Sequence, residues 1–129
     1  MAIYLLDTSV IIDTLNGKRN RPNLLAELIR QGNTFACCSI NVTEIYAGMR
    51  PKEEAQTEEF LKTLHYYPIT WDVARLAGIL KRDHSRKGKT IALADATIAA
   101  IAITHHLSLL TDNAKDFPMK ELRLYPLPN

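Results

Sequence analysis

The chain has 129 residues and 47% of them are hydrophobic, enough apolar material for one domain with a real core. Charged residues at 23% and aromatics at 7% are ordinary values for a soluble globular protein and exclude a disordered or low-complexity chain. The formal net charge of +2 is too small to indicate a nucleic-acid partner by itself, so where the charges lie matters more than their sum.

AIYLL (2–6) is a short apolar run with β-formers and reads as a buried strand. SVIIDTLNG follows as a helix stopped by Gly17. Pro22 opens a second helix in which Leu24, Leu25, Leu28 and Ile29 share one apolar face, and Gly32 ends it. TFACCS (34–39) is the next strand. Its adjacent Cys37 and Cys38 would point to opposite faces, which argues against a disulfide framework and for a reducing cytoplasm. NVTEIYAGM begins a helix, with Pro51 as a break or a new first turn. Residues 52–64 form a polar, acidic helix whose Ala55, Phe60, Leu61 and Leu64 either pack inward or belong to a partner groove.

YYPIT (66–70) is a short edge strand, because Pro68 argues against a central position. Tyr66, Tyr67 and Trp71 read as core or subunit-interface residues rather than base-stacking platforms. Val73, Leu76, Ala77 and Leu80 recur at helical spacing within 72–87, and Gly88 closes that helix. Residues 91–103, IALADATIAAIAI, form another helix ending around His105 and His106, which suit the negative end of its dipole. LSLLT (107–111) and LRLYPL (122–127) complete the strands. The alternation predicts an α/β fold with a mostly parallel central sheet, one domain over 1–129. No membrane segment is expected, since the longest apolar stretch falls short of the roughly 20 residues a spanning helix needs and the N-terminus lacks a basic leader.

Most acids, among them Glu53, Glu54, Glu58 and Glu59, sit in polar surroundings as a solvated face would. Asp7 in YLLDTSV, Glu44 in NVTEIYA and Asp95 in ALADATIAA do not, and burying a lone carboxylate costs several kcal/mol unless its charge is compensated. A fourth acid lies in LLTDNAKDF, where Asp112 and Asp116 compete. Each has a local alternative. Asp7 suits a helix cap, Asn41 with Glu44 resembles a capping box, and the dipole favours Asp95 in a first turn. Their joint occurrence at strand exits carries more weight, because open α/β sheets bind ligands outside the carboxyl ends of their strands. Carboxylates gathered there stay ionised only around a cation, and an oxygen-only set suits Mg²⁺ or Mn²⁺ better than zinc.

LLDTSVIID, NVTEIYAGM, LADATIAAIA and LLTDNAKDF, in this order and across essentially the whole chain, resemble the PIN-domain ribonucleases and, within them, the VapC toxins of toxin–antitoxin modules. The resemblance implies a three-layer α/β/α sandwich and Mg²⁺-dependent hydrolysis of RNA phosphodiester bonds, with Mn²⁺ as a possible substitute. By position it makes Asp7 and Asp95 direct metal ligands and Glu44 the third acid. Family members often carry an acid two residues after the threonine, where this chain has Asn113; Asp116, supported by Asn113, is favoured over Asp112 as the fourth. Thr8, Ser9 and Thr111 would hold waters or orient the acids. It also implies a homodimer and a VapB-like antitoxin that blocks the acidic site.

Two basic clusters are candidates for RNA phosphate contacts: KRNR, with Lys18, Arg19 and Arg21, and KRDHSRKGK, with Arg86, Lys87 and Lys89 just before Asp95. The rival readings are a housekeeping PIN nuclease in RNA processing, a phosphatase on a similar sheet, and a non-catalytic RNA- or protein-binding relative. Ser9 stands where an aspartyl-phosphate enzyme needs a second acid, and the retained acids argue against loss of catalysis.

Overall fold

The apolar runs become five strands in a computed structural model that describes residues 1–128. They are β1 (Ile3–Leu6), β2 (Thr34–Cys38), β3 (His65–Tyr67), β4 (Ser108–Thr111) and β5 (Arg123–Pro126). The helices are α1 (Thr8–Leu15), α2 (Arg21–Arg30), α3 (Ser39–Gly48), α4 (Glu54–Leu61), α5 (Trp71–Arg86) and α6 (Leu93–Thr104). All strand pairs are parallel, in the order β3-β2-β1-β4-β5. Parallel neighbours need crossovers, and helices supply them between β1, β2, β3 and β4. Between β4 and β5 the chain crosses with only a 3₁₀ turn, Ala114–Asp116.

Period-two alternation along the strands divides the core into two layers. Leu5, Ala36, Cys38 and Leu109 pack with α5 and α6 on one face, while Leu6, Phe35, Cys37 and Leu110 pack with α1 to α4 on the other. Cys37 and Cys38 therefore do point to opposite faces, and both are free thiols. The result is the expected α/β/α sandwich. α6 is the buried middle helix: Ala96 to Ala102 are all buried, and the alanines let its backbone approach the sheet closely. α5 presents Val73, Ala77 and Leu80 to the core as the spacing predicts.

Several expectations shift. α1 begins at Thr8 with Asp7 as its cap. Pro51 starts a 3₁₀ turn, so the acidic helix is shorter than predicted, with Leu61 buried and Ala55 exposed. The edge strand β3 ends before Pro68, whose missing N–H stops the ladder. Ile29 is 57% exposed, leaving Leu25 and Leu28 as the buried contacts of α2. Trp71 is 82% and Tyr66 54% exposed, so neither is a core residue; Tyr67 packs against the core and its ring lies 4.4 Å from that of His105.

Candidate active site

Strand order reverses between β1 and β4: β2 and β3 lie on one side of this junction, β5 on the other. Such a switch point splays the loops leaving the strands and opens a crevice at their carboxyl ends. Asp7 leaves β1 there and Thr111 ends β4 beside it. The Thr111 hydroxyl donates to Asp7 Oδ2 at 2.7 Å, and Thr8 N donates to Asp7 Oδ1 at 2.9 Å. The helix cap and the sheet-edge position of Asp7 thus coincide: the residue is 7% exposed, its carboxylate held by one backbone and one hydroxyl donor.

Glu44 comes from α3 and is held by a relay. Thr8 Oγ1 donates to Glu44 Oε1 at 2.7 Å, and Asn41 Nδ2 donates to Thr8 Oγ1 at 2.9 Å. Asn41 Oδ1 in turn accepts from Cys38 N at 2.8 Å. This corrects the Asn41–Glu44 capping-box expectation. α3 starts at Ser39, so Asn41 lies at its third position and caps back to Cys38, while Glu44 is one turn further on and exposed. Asn41, wholly buried, reads as a local cap in the sequence, yet it supports the Thr8 hydroxyl that bonds Glu44. Its spacing of one turn from Glu44 was the available signal.

Asp95 sits in the first turn of α6 and shares a cleft with Asp116, lined also by Lys89 and Lys115. Burial pushes the Asp95 carboxyl up to about 6, and the charges of Asp7, Asp116 and Glu44 add to the rise. Asp7 is also raised, chiefly by burial; the bonds from Thr111 and Thr8 oppose this, and Glu44 and Asp112 reinforce it. The acids thus feel one another, and among the described residues none of Asp7, Glu44, Asp95 or Asp116 is in an ion pair.

Asp112 is different. Its side chain is 7% exposed and paired with Arg19 at 2.9 Å and with Arg21, which is 1% exposed. An acid already neutralised by two guanidinium groups is a poor metal ligand, which favours Asp116 for the fourth place. The same contacts overturn Arg21 as a phosphate contact, because it is buried, and tie Arg19 to Asp112 and Asp13. Lys18, Arg86, Lys87 and Lys89 are exposed. Of the expected supporting residues, Thr8 and Thr111 bond to acids directly. Asn113 contributes its backbone N–H, donated to Thr111 Oγ1 at 3.0 Å, and Ser9 Oγ is buried without a hydrogen-bond partner among the described residues.

The donor set suits a hard divalent cation: oxygen ligands only, none of them in an ion pair among the described residues. The four acids do not form a closed cage, however. Among the described residues, no three Asp, Glu, His or Cys side chains gather closely enough to hold an ion as they stand. Mg²⁺ needs no such cage, since it commonly keeps several waters and takes one or two carboxylates.

Comparison with known proteins decides the family. The PIN-domain family model matches residues 4–120. The chain belongs to the PIN-domain family. A ribonuclease VapC19 of Mycobacterium tuberculosis is 37% identical over 115 residues, covering 89% of this chain and 92% of that protein. Ribonuclease VapC2 of Rickettsia felis is 30% identical over 120 residues. The crystal structure of VapBC2 from Rickettsia felis, bound to a DNA fragment from its promoter, superposes on this PIN domain with a TM-score of 0.83 at 29% identity. That match covers 98% of this chain and 99% of the other. A toxin–antitoxin complex from Klebsiella pneumoniae gives 0.76 at 27% identity, covering 96% and 99%. No helix among the described residues of this PIN-domain chain is long and apolar enough to cross a membrane.

Proposed function

We propose that this chain hydrolyses RNA phosphodiester bonds as the toxin endoribonuclease of a VapBC-type pair, with a divalent ion, Mg²⁺ or in its place Mn²⁺, at the acids of the sheet edge. The observation that carries the reading is that Asp7 leaves β1 at the β1–β4 switch point, bonded to Thr111 and linked through Thr8 to Glu44, and that the charges of Asp7, Asp116 and Glu44 act on Asp95, with none of the four acids in an ion pair among the described residues. Membership of the PIN-domain family, with relatives named as ribonucleases, supports the same chemistry.

Asp7 and Asp95 would hold the ion directly, with Asp116 completing the negative surface on the Asp95 side. When bound, such an ion lowers the pKa of water and offsets charge developing on the phosphoryl oxygens. The protein's own part is orientation. Thr111 fixes one oxygen of Asp7 and Thr8 N the other, so that carboxylate cannot rotate. The Thr8 hydroxyl satisfies one oxygen of Glu44 and leaves the second to orient water or accept its proton. Asn41 locks the Thr8 hydroxyl by donating to it, which obliges that hydroxyl to donate toward Glu44. The structural likeness to toxin–antitoxin complexes supports a VapB-like antitoxin as partner; a homodimer is what the resemblance to the VapC toxins implies, and a reducing cytoplasm fits the free Cys37 and Cys38.

Inducible expression in a bacterial host tests the reading. Wild type should arrest growth, Asp95→Asn should not, and co-expression of a cognate VapB-like antitoxin should restore growth. A wild type that is tolerated, or an Asp95→Asn variant that is equally toxic, would count against it.

A further inference from the structure

We propose that Lys89 and Lys115 form a phosphate subsite that holds single-stranded RNA on one side of the carboxylates, an assignment that rests on the ribonuclease reading above. Neither the KRDHSRKGK run nor the LLTDNAKDF motif marks this pair, because the two lysines lie on separate segments that only the fold brings together. They line one cleft of about 660 Å³ with Asp95 and Asp116, roomy enough for a nucleotide. Both side chains are exposed, and neither is in an ion pair among the described residues.

Both lysines stand on pinned backbone. Lys89 N donates to His84 O at 2.9 Å, and the nearby Ile91 is 3% exposed, its carbonyl accepting from Lys81 Nζ. On the other lining segment, Asp116 N donates to Asn113 O at 2.9 Å and Phe117 is 3% exposed. The ammonium groups can swing while their anchors stay fixed, which suits contacts to a backbone whose bases vary. Charge is also one-sided. In the other basic cluster Arg19 and Arg21 are committed to Asp112, leaving Lys18 alone, whereas Arg86 and Lys87 extend the free charge at Lys89. A strand whose scissile bond reaches Asp95 would therefore pass between Lys89 and Lys115, not over residues 18–21.

The test starts from wild-type cleavage of total RNA with Mg²⁺, and an oligonucleotide copied from the mapped cut is then used with Lys89→Ala, Lys115→Ala and the double variant. A single-strand phosphate contact scales with salt to a power of about 0.7, so each loss should raise KM about fivefold at about 0.1 M salt and the double about 25-fold. The double variant should also flatten the log–log salt slope by about 1.4. Values of kcat should hold, the Lys→Arg pair should restore both readouts, and Lys62→Ala, at the C-cap of α4 and paired with Glu58, should change neither. Wild type that cuts no RNA overturns the ribonuclease reading and the subsite with it. Cleavage with KM and salt slope unchanged in the folded double variant overturns the subsite alone, as does a loss confined to affinity for an acidic antitoxin segment.

Discussion

Replacing Arg21 by Met should be strongly destabilising although Arg21 lies outside the proposed acidic site. Arg21 is 1% exposed and sends Nη2 to Asp112 Oδ1 and Nη1 to the carbonyl of Pro128 at 2.8 Å, tying α2 to the β4 exit and to the end of the chain. Methionine fills similar space but leaves a 7%-exposed carboxylate with Arg19 as its remaining partner. Arg19 lies 2.9 Å from Asp112 Oδ2 without the alignment of a hydrogen bond, so it supplies charge more than direction. Breaking a buried pair from one side costs about 3–5 kcal/mol, and the residual Arg19 contact places this case near about 3. For a chain of this size that corresponds to a fall in Tm of roughly 10–12 °C. Urea unfolding followed by circular dichroism measures the loss. The double variant Arg21→Met/Asp112→Leu should recover about 2 kcal/mol of it, since an apolar pair in place of a buried ion pair is often neutral or better. An Arg21→Met cost below about 0.5 kcal/mol, or a double variant worse than the single, would refute the reasoning.

Asp95 gives a pH signature: its pKa in the fold, about 6, lies above the ordinary 3.8, so ionisation destabilises the native state. In EDTA the protein should gain stability as pH falls from above 6 toward 4 and lose it on the way back up, and Asp95→Asn should flatten that dependence in a Tm series. Protons and a divalent ion compete for the same carboxylate, so Mg²⁺ affinity measured by calorimetry should weaken below about pH 6. Thr111→Val removes the hydroxyl from Asp7 Oδ2 and the acceptor for Asn113 N; a loss of about 10–100-fold in metal affinity or cleavage is expected, against near-wild-type values for Thr111→Ser. Cys37 and Cys38 are buried, with the Cys37 thiol pushed up to about 11, so neither should react with Ellman's reagent until the protein unfolds.

What the sequence made legible was what repeats at short range. The apolar periodicity of Val73, Ala77 and Leu80 placed α5, and carboxylates interrupting apolar runs picked out Asp7 and Asp95. Glu44 was picked out by the same criterion although it is exposed; its place in the site comes from the Thr8 bond, not from burial. Partners far apart in the chain stayed invisible. Arg21 and Asp112 are 91 residues apart, so the KRNR run read as surface charge when one member is interior. Asn41 reads as a local cap until Thr8, 33 residues earlier, is seen to accept from it. The preference for Asp116 over Asp112 gains support from the same long-range pair, because only the fold shows that two arginines occupy Asp112.

The most direct test of the carboxylate site is cleavage of labelled total RNA by purified protein with Mg²⁺, Mn²⁺ or EDTA, run beside Asp7→Asn and Asp95→Asn. Discrete products that need the ion and vanish in both variants are the predicted result. Equal products from wild type and from folded variants, or products that persist in EDTA, would contradict it.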